Sequence, residues 1–205
     1  LTKISTQYTY ACGITSAGAV YCGTYGTKYG YGDLTRVVDF SVGNYVFTDI
    51  TVAGSHYPSV CGVTSDKRVY CWSVWSYENI GIGGERQGFV LGTSGTGQLS
   101  NISKIASTYV GFCAIDTTGK AYCWGSTGDG NDIGGMGGSS TDFSYPQAIL
   151  NATNYNFTSI EANSTMFFGF DNNSKKIVYW SYYYEPSTPT TSTYTGIAGS
   201  ACLFR

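Results

Sequence analysis

The sequence predicts an all-β protein made of a repeated unit. Short runs rich in β-branched and aromatic residues alternate with Gly, Asn and Ser, which is typical of strands and turns. No segment combines apolar residues at i, i+3, i+4 and i+7 with helix caps at both ends. Four segments of the chain also align with one another. We therefore predict a β-propeller-like array of four blades, each of about 50 residues, followed by a truncated fifth blade.

The repeats divide the chain at regular intervals. Each copy has a short apolar strand, a second strand, a tight turn, a third strand ending at Cys-Trp or its equivalent, and a Gly-rich connection. The copies cover approximately 1–46, 47–101, 102–156 and 157–194, with a partial fifth copy at 195–205. Units of this length with three or four strands are typical of propeller blades, so we interpret 1–205 as a single repeat domain.

The third copy carries a family resemblance. Its segment CAIDTTGKAYCWGSTGDG, from Cys113 to Gly130, resembles the regulator of chromosome condensation (RCC-type) repeat, in which a Trp-Gly pair follows the third strand and precedes a Gly-rich tail. The second copy keeps the Trp but has Ser73 in place of the Gly, and the first copy has Gly23 in place of the Trp. The resemblance implies a β-propeller and a protein-binding platform. Four copies imply either a small closed ring or part of a longer array.

A second resemblance concerns the second copy. Its segment CGVTSDKRVYCW, which begins at Cys61, is similar to tectonin repeats of the fish-egg-lectin type. This resemblance implies carbohydrate binding.

Six of the seven cysteines form three pairs with a separation of ten residues: Cys12 and Cys22, Cys61 and Cys71, Cys113 and Cys123. Antiparallel pairing of each couple leaves a three-residue turn whose last position favours Gly in a left-handed conformation. Gly18 and Gly119 supply that Gly, whereas the second copy has Lys67. The same register places the two cysteines of each pair opposite one another, with Cα atoms about 4.5–5.5 Å apart, which suits a disulfide.

We therefore predict three intra-blade disulfides. The spacing does not match that of zinc ligands, whereas reduced core thiols and cross-blade pairing stay open as alternatives. Cys202 aligns with the first cysteine of the partial fifth copy and has no expected partner in the chain. It is thus a candidate for an unpaired or intermolecular thiol.

The cysteines and the glycosylation motifs indicate the same compartment. Disulfides at this density are typical of oxidising environments. Asn-x-Ser/Thr sequons begin at Asn101, Asn151, Asn156, Asn163 and Asn172, an excess over the number that composition gives by chance. We predict a secreted, extracellular glycoprotein of the eukaryotic secretory pathway with covalent N-glycans.

Few groups suited to catalysis are present. The one His, His56, lies in a predicted turn, and acidic residues such as Asp116 and Asp171 lie in turns, where carboxylates bond to backbone N–H groups. Charged residues make up 12% of the chain and the net charge is −2, which gives no electrostatic footprint for nucleic acid. No apolar stretch reaches the length of a membrane helix. We expect no catalytic activity, metal, cofactor, nucleic-acid partner or membrane insertion.

The aromatic residues divide into two sets. The Trp that ends the third strand in three of the copies, Trp72, Trp124 and Trp180, is expected to pack between blades. Trp75, Tyr182 and Tyr184 are candidates for stacking against a ligand, because aromatic rings outside a core offer a large contact area at low entropic cost.

Two functions follow from these observations. The first is a non-catalytic structural or interaction module of an extracellular coat, matrix or fibre, whose copies assemble head to tail or bind other extracellular proteins. The alternative is a carbohydrate-binding lectin of the tectonin-like type that uses the exposed aromatic rings.

Overall fold

The computed structural model describes residues 1–7, 10–24, 35–36, 45–54, 58–73, 80–82, 87–109, 111–125, 143–149, 154–181, 184–187, 196–198 and 202–204. The elements in these ranges are 18 β-strands, with no α-helix among the described residues, which confirms the all-β prediction. They form four four-stranded antiparallel sheets, here called blades 1 to 4, and a two-stranded ribbon, and within each sheet the strands lie in chain order.

The blades follow the repeats along the chain. Blade 1 comprises β1 (Lys3–Gln7), β2 (Tyr10–Ile14), β3 (Val20–Thr24) and β4 (Thr35–Arg36). Blade 2 comprises β5 (Phe47–Ala53), β6 (Ser59–Thr64), β7 (Val69–Ser73) and β8 (Gln87–Phe89). Blade 3 comprises β9 (Ile102–Ser107), β10 (Gly111–Asp116), β11 (Ala121–Gly125) and β12 (Phe143–Ala148). Blade 4 comprises β13 (Phe157–Ala162), β14 (Met166–Asp171), β15 (Lys176–Ser181) and β16 (Tyr184–Ser187), and the ribbon comprises β17 (Gly196–Ala198) and β18 (Cys202–Phe204).

The blades stack face to face around their first strands. β1, β5, β9, β13 and β17 lie side by side in that order, and the second strand of each blade also contacts the first strand of the next. We call the face of a blade that packs on the preceding blade its leading face, and the opposite face its trailing face. The first strands are thus the innermost strands of a curved array.

The predicted disulfides are formed in the predicted register. Cys12 lies opposite Cys22, Cys61 opposite Cys71, and Cys113 opposite Cys123, and a disulfide joins each pair. The Cα atoms are 4.1 Å apart in each bridge, below the expected range and nearest to the shorter spacing of opposed residues, that of a non-hydrogen-bonded pair.

The turn between the second and third strands uses a left-handed residue in all four blades. Gly18, Lys67 and Gly119 have φ angles of 77°, 64° and 86°, and Lys175 in blade 4 has 57°. The left-handed conformation costs a side-chain-bearing residue about 1–2 kcal/mol, so the turn geometry overrides the preference of the two lysines. The second hairpin therefore has the same shape as the first and third, although its sequence lacks the Gly.

The left-handed residues of blades 1, 2 and 3 also bind the next blade. The carbonyl oxygens of Gly18 and Lys67 accept hydrogen bonds of 2.9 Å from the N–H groups of Phe47 and Ile102, respectively. Gly119 does the same for Phe157 at 2.9 Å. A Cβ atom on Gly119 would lie 2.9 Å from the Phe157 nitrogen. The close approach of the two backbones explains the Gly at this turn.

The disulfides form part of the interfaces between blades. Cys12 and Cys22 belong to one buried cluster with Trp72 of the next blade. The Cys61–Cys71 bridge shares a cluster with Trp124, and the Cys113–Cys123 bridge shares one with Trp180. The three Trp side chains are at most 1% exposed. The trailing-face disulfide of one blade and the leading-face Trp of the next therefore recur as a packing unit.

Blade 4 replaces the disulfide by an aromatic pair. Phe168 lies opposite Tyr179, at the positions that cysteines occupy in the other blades, and both side chains are half-buried. Phe168 packs against the buried Phe170 and Ile177. The extra residue of this repeat is accommodated in the turn, because Asp171 pairs with Lys176 in register.

Replacement of both Cys113 and Cys123 by Ala is expected to lower the free energy of unfolding by about 2–3 kcal/mol, since the bridge closes a short loop and fills the blade 3–blade 4 interface. Urea denaturation monitored by Trp fluorescence measures the change. The control is Lys120→Ala in the exposed part of the same hairpin, which should change stability by less than about 0.5 kcal/mol. Peptide mapping that links Cys113 to any cysteine other than Cys123 would contradict the assignment.

Candidate functional site

The innermost strands line an open cleft at the centre of the array. The cleft has a volume of about 520 Å³ and is bordered by residues 3–7, 50–52, 105–107 and 161–164. One segment of each blade therefore contributes to its wall. Ligand sites commonly have volumes of roughly 300–1,000 Å³, so the cleft is the candidate functional site.

Backbone groups of the innermost strands point into this cleft. In an antiparallel ladder, successive residues direct their N–H and C=O groups alternately toward the neighbouring strand and away from it. Thr51 faces β6, whereas Ile50 and Val52 have no neighbouring strand on the cleft side. The wall of the cleft is consequently a set of strand edges whose polar groups need partners.

Side chains from adjacent blades supply several of these partners. The Val52 N–H of blade 2 donates to Ser5 Oγ of blade 1 at 3.0 Å. Ser107 Oγ of blade 3 donates to the Val52 carbonyl at 2.7 Å and lies 2.6 Å from Thr51 Oγ1. The hydroxyl groups thus join three neighbouring innermost strands.

A buried carboxylate makes the second connection. Asp49 is 1% exposed, and its Oδ1 and Oδ2 accept hydrogen bonds from the N–H groups of Ile50 at 2.9 Å and Ile105 at 3.1 Å. Lys3 of blade 1 forms an ion pair with the same carboxylate. A buried charge persists where it is paired and hydrogen-bonded. Asp49 therefore ties blades 1, 2 and 3 together at the cleft.

Backbone hydrogen bonds continue the connection beyond the innermost strands. The Gly54 N–H donates to the Tyr109 carbonyl at 2.9 Å, and the Tyr109 N–H donates to the Ser164 carbonyl at 3.0 Å. These bonds link blades 2, 3 and 4 at one rim of the cleft.

The turn carboxylates have the role that the sequence predicts. Asp116 Oδ1 accepts hydrogen bonds from the N–H groups of Thr118 at 2.8 Å and Lys120 at 3.0 Å. Burial alone would raise the pKa of Asp116, but these bonds and the Thr118 hydroxyl hold it below its usual value. For Asp171, burial is likewise outweighed by hydrogen bonds, above all from the Ser174 hydroxyl, so its pKa is also lowered. Both groups stabilise turns.

The structure divides the described sequons between two ends of the blades. Asn101 and Asn156 directly precede β9 and β13, and Asn172 lies in the β14–β15 turn, at the end that carries the hairpin turns. Asn163 follows β13 at the opposite end and borders the cleft. Asn101, Asn163 and Asn172 are exposed, whereas Asn156 is half-buried.

The remaining residues singled out from the sequence are not among those that line the cleft. Trp75, Tyr182, Asn151 and His56 lie outside the described residues. Tyr184 lies in β16 and Cys202 in β18. Cys202 is paired with Ala198 on β17, as Cys12 is paired with Ser5 on β1.

Sequence reasoning missed the polar groups of the cleft and an aromatic cluster. Asp49 is the single charged residue of an otherwise uncharged strand, FTDITVA, and that isolation was the available signal. The aromatic cluster places the Tyr45 ring 5.4 Å from Tyr70 and 5.0 Å from Phe89, with the Arg68 guanidinium 3.9 Å from the Phe89 ring centre. The sequence around Tyr45 does not indicate this arrangement, because Tyr45, Tyr70 and Phe89 are far apart along the chain.

In the described part of the chain, no helix is long and apolar enough to cross a membrane. The same residues contain no group of three or more His, Cys, Asp or Glu side chains arranged to hold a metal ion.

The variant Asp49→Asn is expected to lower the free energy of unfolding by about 2–4 kcal/mol, since it leaves Lys3 unpaired and turns an amide N–H₂ toward a backbone N–H. Chemical denaturation measures the loss. Asp66→Asn is the matched control, because Asp66 is about half exposed and paired with Arg68 at the surface, where ion pairs contribute little. Equal effects of the two substitutions would show that Asp49 does not connect the blades.

No protein-family model and no curated protein sequence matches the chain. Solved structures do. Human WBSCR16 superimposes with a TM-score of 0.68 at 15% identity, over 97% of this chain and 55% of that protein. Prp20p from Saccharomyces cerevisiae gives 0.68 at 13% identity, over 97% and 53%. Yeast RCC1 (Prp20) bound to Kap60 gives 0.63 at 15% identity, over 97% and 52%.

The chain thus spans about half the length of these structures. The TM-scores of 0.63 to 0.68 over nearly the whole chain establish a common fold despite the low sequence identity. The stacked blades, the innermost strands around a cleft and the superposition over nearly the whole chain agree with one another. The chain has the β-propeller fold of the RCC1-like proteins.

Proposed function

We propose that the chain is a non-catalytic interaction module of an extracellular glycoprotein, in which copies of the chain associate head to tail. The observation that carries the proposal is the leading face of blade 1. Leu1 and Ile4 are 59% and 61% exposed there, whereas their equivalents in blade 2, Phe47 and Ile50, are 4% and 1% exposed.

The same face lacks the bulk of the other leading faces. Gly23 occupies the position of Trp72, and Ala11 that of Val60, as the pairing with the second strand of each blade defines them. An apolar face that is also shallow fits a partner with projecting side chains.

The trailing face of blade 4 offers such side chains. Phe168 and Tyr179 stand where the other blades have a compact disulfide, and both are half-buried; β17 lies against β13 and β14 of this blade. The size of the two aromatic side chains complements the missing Trp of blade 1. A second copy of the chain is therefore the partner that these two faces favour, and association of unlike faces generates rings or filaments.

The compartment in this proposal is supported by the interfaces. Each of the three described disulfides packs against the next blade, so reduction would loosen the array at several points. Such dependence is compatible with an oxidising, extracellular environment. The exposed sequons at Asn101, Asn163 and Asn172 are accessible to carry glycans.

The neighbours support a protein-binding role in general terms. Yeast Prp20p has binding properties toward Gsp1p and histones and is known in a complex with Kap60. Those partners belong to that protein. What this chain shares is the fold, and we propose protein binding for it without transferring those partners.

Light scattering after size exclusion should give masses above the monomeric 22.0 kDa that increase with concentration. Ile4→Glu should restore the monomeric mass, because it places a charge on the apolar leading face. The control is Tyr145→Glu, which alters another exposed large hydrophobic residue on β12. The proposal fails if the wild-type chain is monomeric at every concentration, or if the control disrupts association equally.

A second candidate function, carbohydrate binding, is favoured by the cluster around Tyr45. Its ring is 37% exposed and lies beside Phe89, with the polar side chains of Arg68, Asp66 and Gln98 joined by hydrogen bonds nearby. A supported aromatic ring next to fixed polar groups is an arrangement that suits sugar stacking.

A glycan array tests this candidate. Tyr45→Ala should abolish any signal that the wild-type chain gives, because the stacking surface is removed. Tyr145→Ala serves as the control, since Tyr145 is equally exposed, at 37%. An array without signal, or a signal that survives Tyr45→Ala, would exclude a lectin site at this cluster.

A further inference from the structure

The hydrogen-bond partners in the cleft do not repeat in every blade. Ser5, Thr51 and Ala106 are equivalent, because each lies opposite the first cysteine of its blade. Ser5 accepts a hydrogen bond from the Val52 N–H of the next blade, and Thr51 bonds to Ser107 of the next blade. Ala106 has no hydroxyl to offer to blade 4.

The buried carboxylate is not repeated either. Asp49 lies opposite Val63, and the equivalent residue of blade 3 is Lys104, opposite Ile115. Asp49 accepts a hydrogen bond from the Ile105 N–H of the next blade. A Lys side chain has no acceptor, so Lys104 cannot do the same for Ile160, the residue of blade 4 that corresponds to Ile105.

Ile160 and Ala162 direct their backbone polar groups away from β14. The Asn163 N–H bonds to the Met166 carbonyl, which fixes the phase of the ladder, so Ala162 and Ile160 fall at the alternate positions that face outward. Among the described residues, no side chain accepts a hydrogen bond from either N–H. Within the described residues, the N–H groups of Ile160 and Ala162 thus have no side-chain acceptor, and they are spaced about 7 Å apart along the strand.

We propose that the cleft binds an extended polypeptide segment, which adds to the free edge of β13 by backbone hydrogen bonds. An extended peptide presents its own N–H and C=O groups at the same spacing, which is the basis of strand addition. The N–H groups of Ile50, Val52 and Ile105 in blades 2 and 3 already have side-chain acceptors. We therefore place the peptide at β13, where the N–H groups of Ile160 and Ala162 have none among the described residues.

This site goes beyond head-to-tail association, because it uses the cleft side of β13 rather than the faces of blades 1 and 4. Its ligand is defined by backbone geometry. Small or β-branched side chains at alternate positions fit best, since Ala162 and Ala106 leave a low wall on this side.

The probe is the blocked pentapeptide acetyl-Thr-Val-Thr-Val-Thr-amide, titrated into ¹⁵N-labelled full chain and followed by amide chemical shifts. The Ile160 and Ala162 amides should move most. The same peptide with N-methyl groups on alternate amides cannot pair as a strand, and it should bind at least about fivefold more weakly. No shift at these two amides would overturn the proposal.

The variant Ala106→Ser provides the decisive comparison. It places a hydroxyl where Ser5 stands in blade 1, so the Ala162 N–H gains an internal partner and peptide affinity should fall about three- to tenfold. Ala17→Ser is the matched control, because it adds the same hydroxyl in an exposed turn of blade 1 outside the cleft, and it should not weaken binding. Unchanged affinity in Ala106→Ser, with thermal unfolding like that of the wild type, would overturn the proposal.

Light scattering on the same samples keeps the two proposals apart. Peptide binding by a monomeric chain would support the cleft site even where head-to-tail association fails. Association without peptide binding would remove the cleft proposal alone.

Discussion

The contact between a trailing-face disulfide and the Trp of the next blade is the interaction on which the rest of the structure depends. A bridge between directly opposed residues is compact, so it leaves a shallow surface on the blade. A Trp at the end of the neighbouring third strand fills that surface and is almost completely buried, as Trp124 is against the Cys61–Cys71 bridge. Because a flat four-stranded sheet cannot bury both of its faces alone, each blade needs its neighbour.

This packing brings the innermost strands together at the centre, where one edge of each strand has no neighbouring strand to pair with its backbone groups. Their free edges carry N–H and C=O groups that water or protein must satisfy. In blades 1 to 3, Ser5, Asp49 and Ser107 satisfy several of them across blade boundaries. The same bonds that relieve the edges therefore also lock the angle between blades, which connects the interior of the cleft to the stability of the array.

The repeat, its strands and the cysteine register were predictable because each rests on local chemistry. A separation of ten residues between cysteines and a three-residue turn determine a hairpin almost alone. Lys67 shows the limit of this reasoning, since its left-handed conformation is imposed by the hydrogen bonds of the turn and by the bond from Ile102. The role of Asp49 could not be predicted for the same reason. Its partners Lys3 and Ile105 belong to other blades, and their placement exists only after the blades have stacked.

At the end of the array that carries the hairpin turns, one structural position is apolar in blade 2 and polar in blades 3 and 4. Val46, Asn101 and Asn156 are equivalent, because the carbonyl of each accepts a hydrogen bond from the hairpin turn of its own blade, given by Ser65, Thr117 and Asn172. In blades 3 and 4 this position is a sequon Asn. In blade 2 it is an apolar residue, 45% exposed, directly after Tyr45.

Val46 lies directly after Tyr45, which is 37% exposed, and no sequon begins before Asn101. Blades 3 and 4 instead present the exposed amide side chains of Asn101 and Asn172 at this end, in a chain with only 12% charged residues. The low charge is therefore compatible with two different surfaces at one end of the molecule. Polar side chains occupy this end in the half with sequons, whereas the half without them presents exposed apolar and aromatic groups, Val46 and Tyr45, of the kind that contact surfaces use.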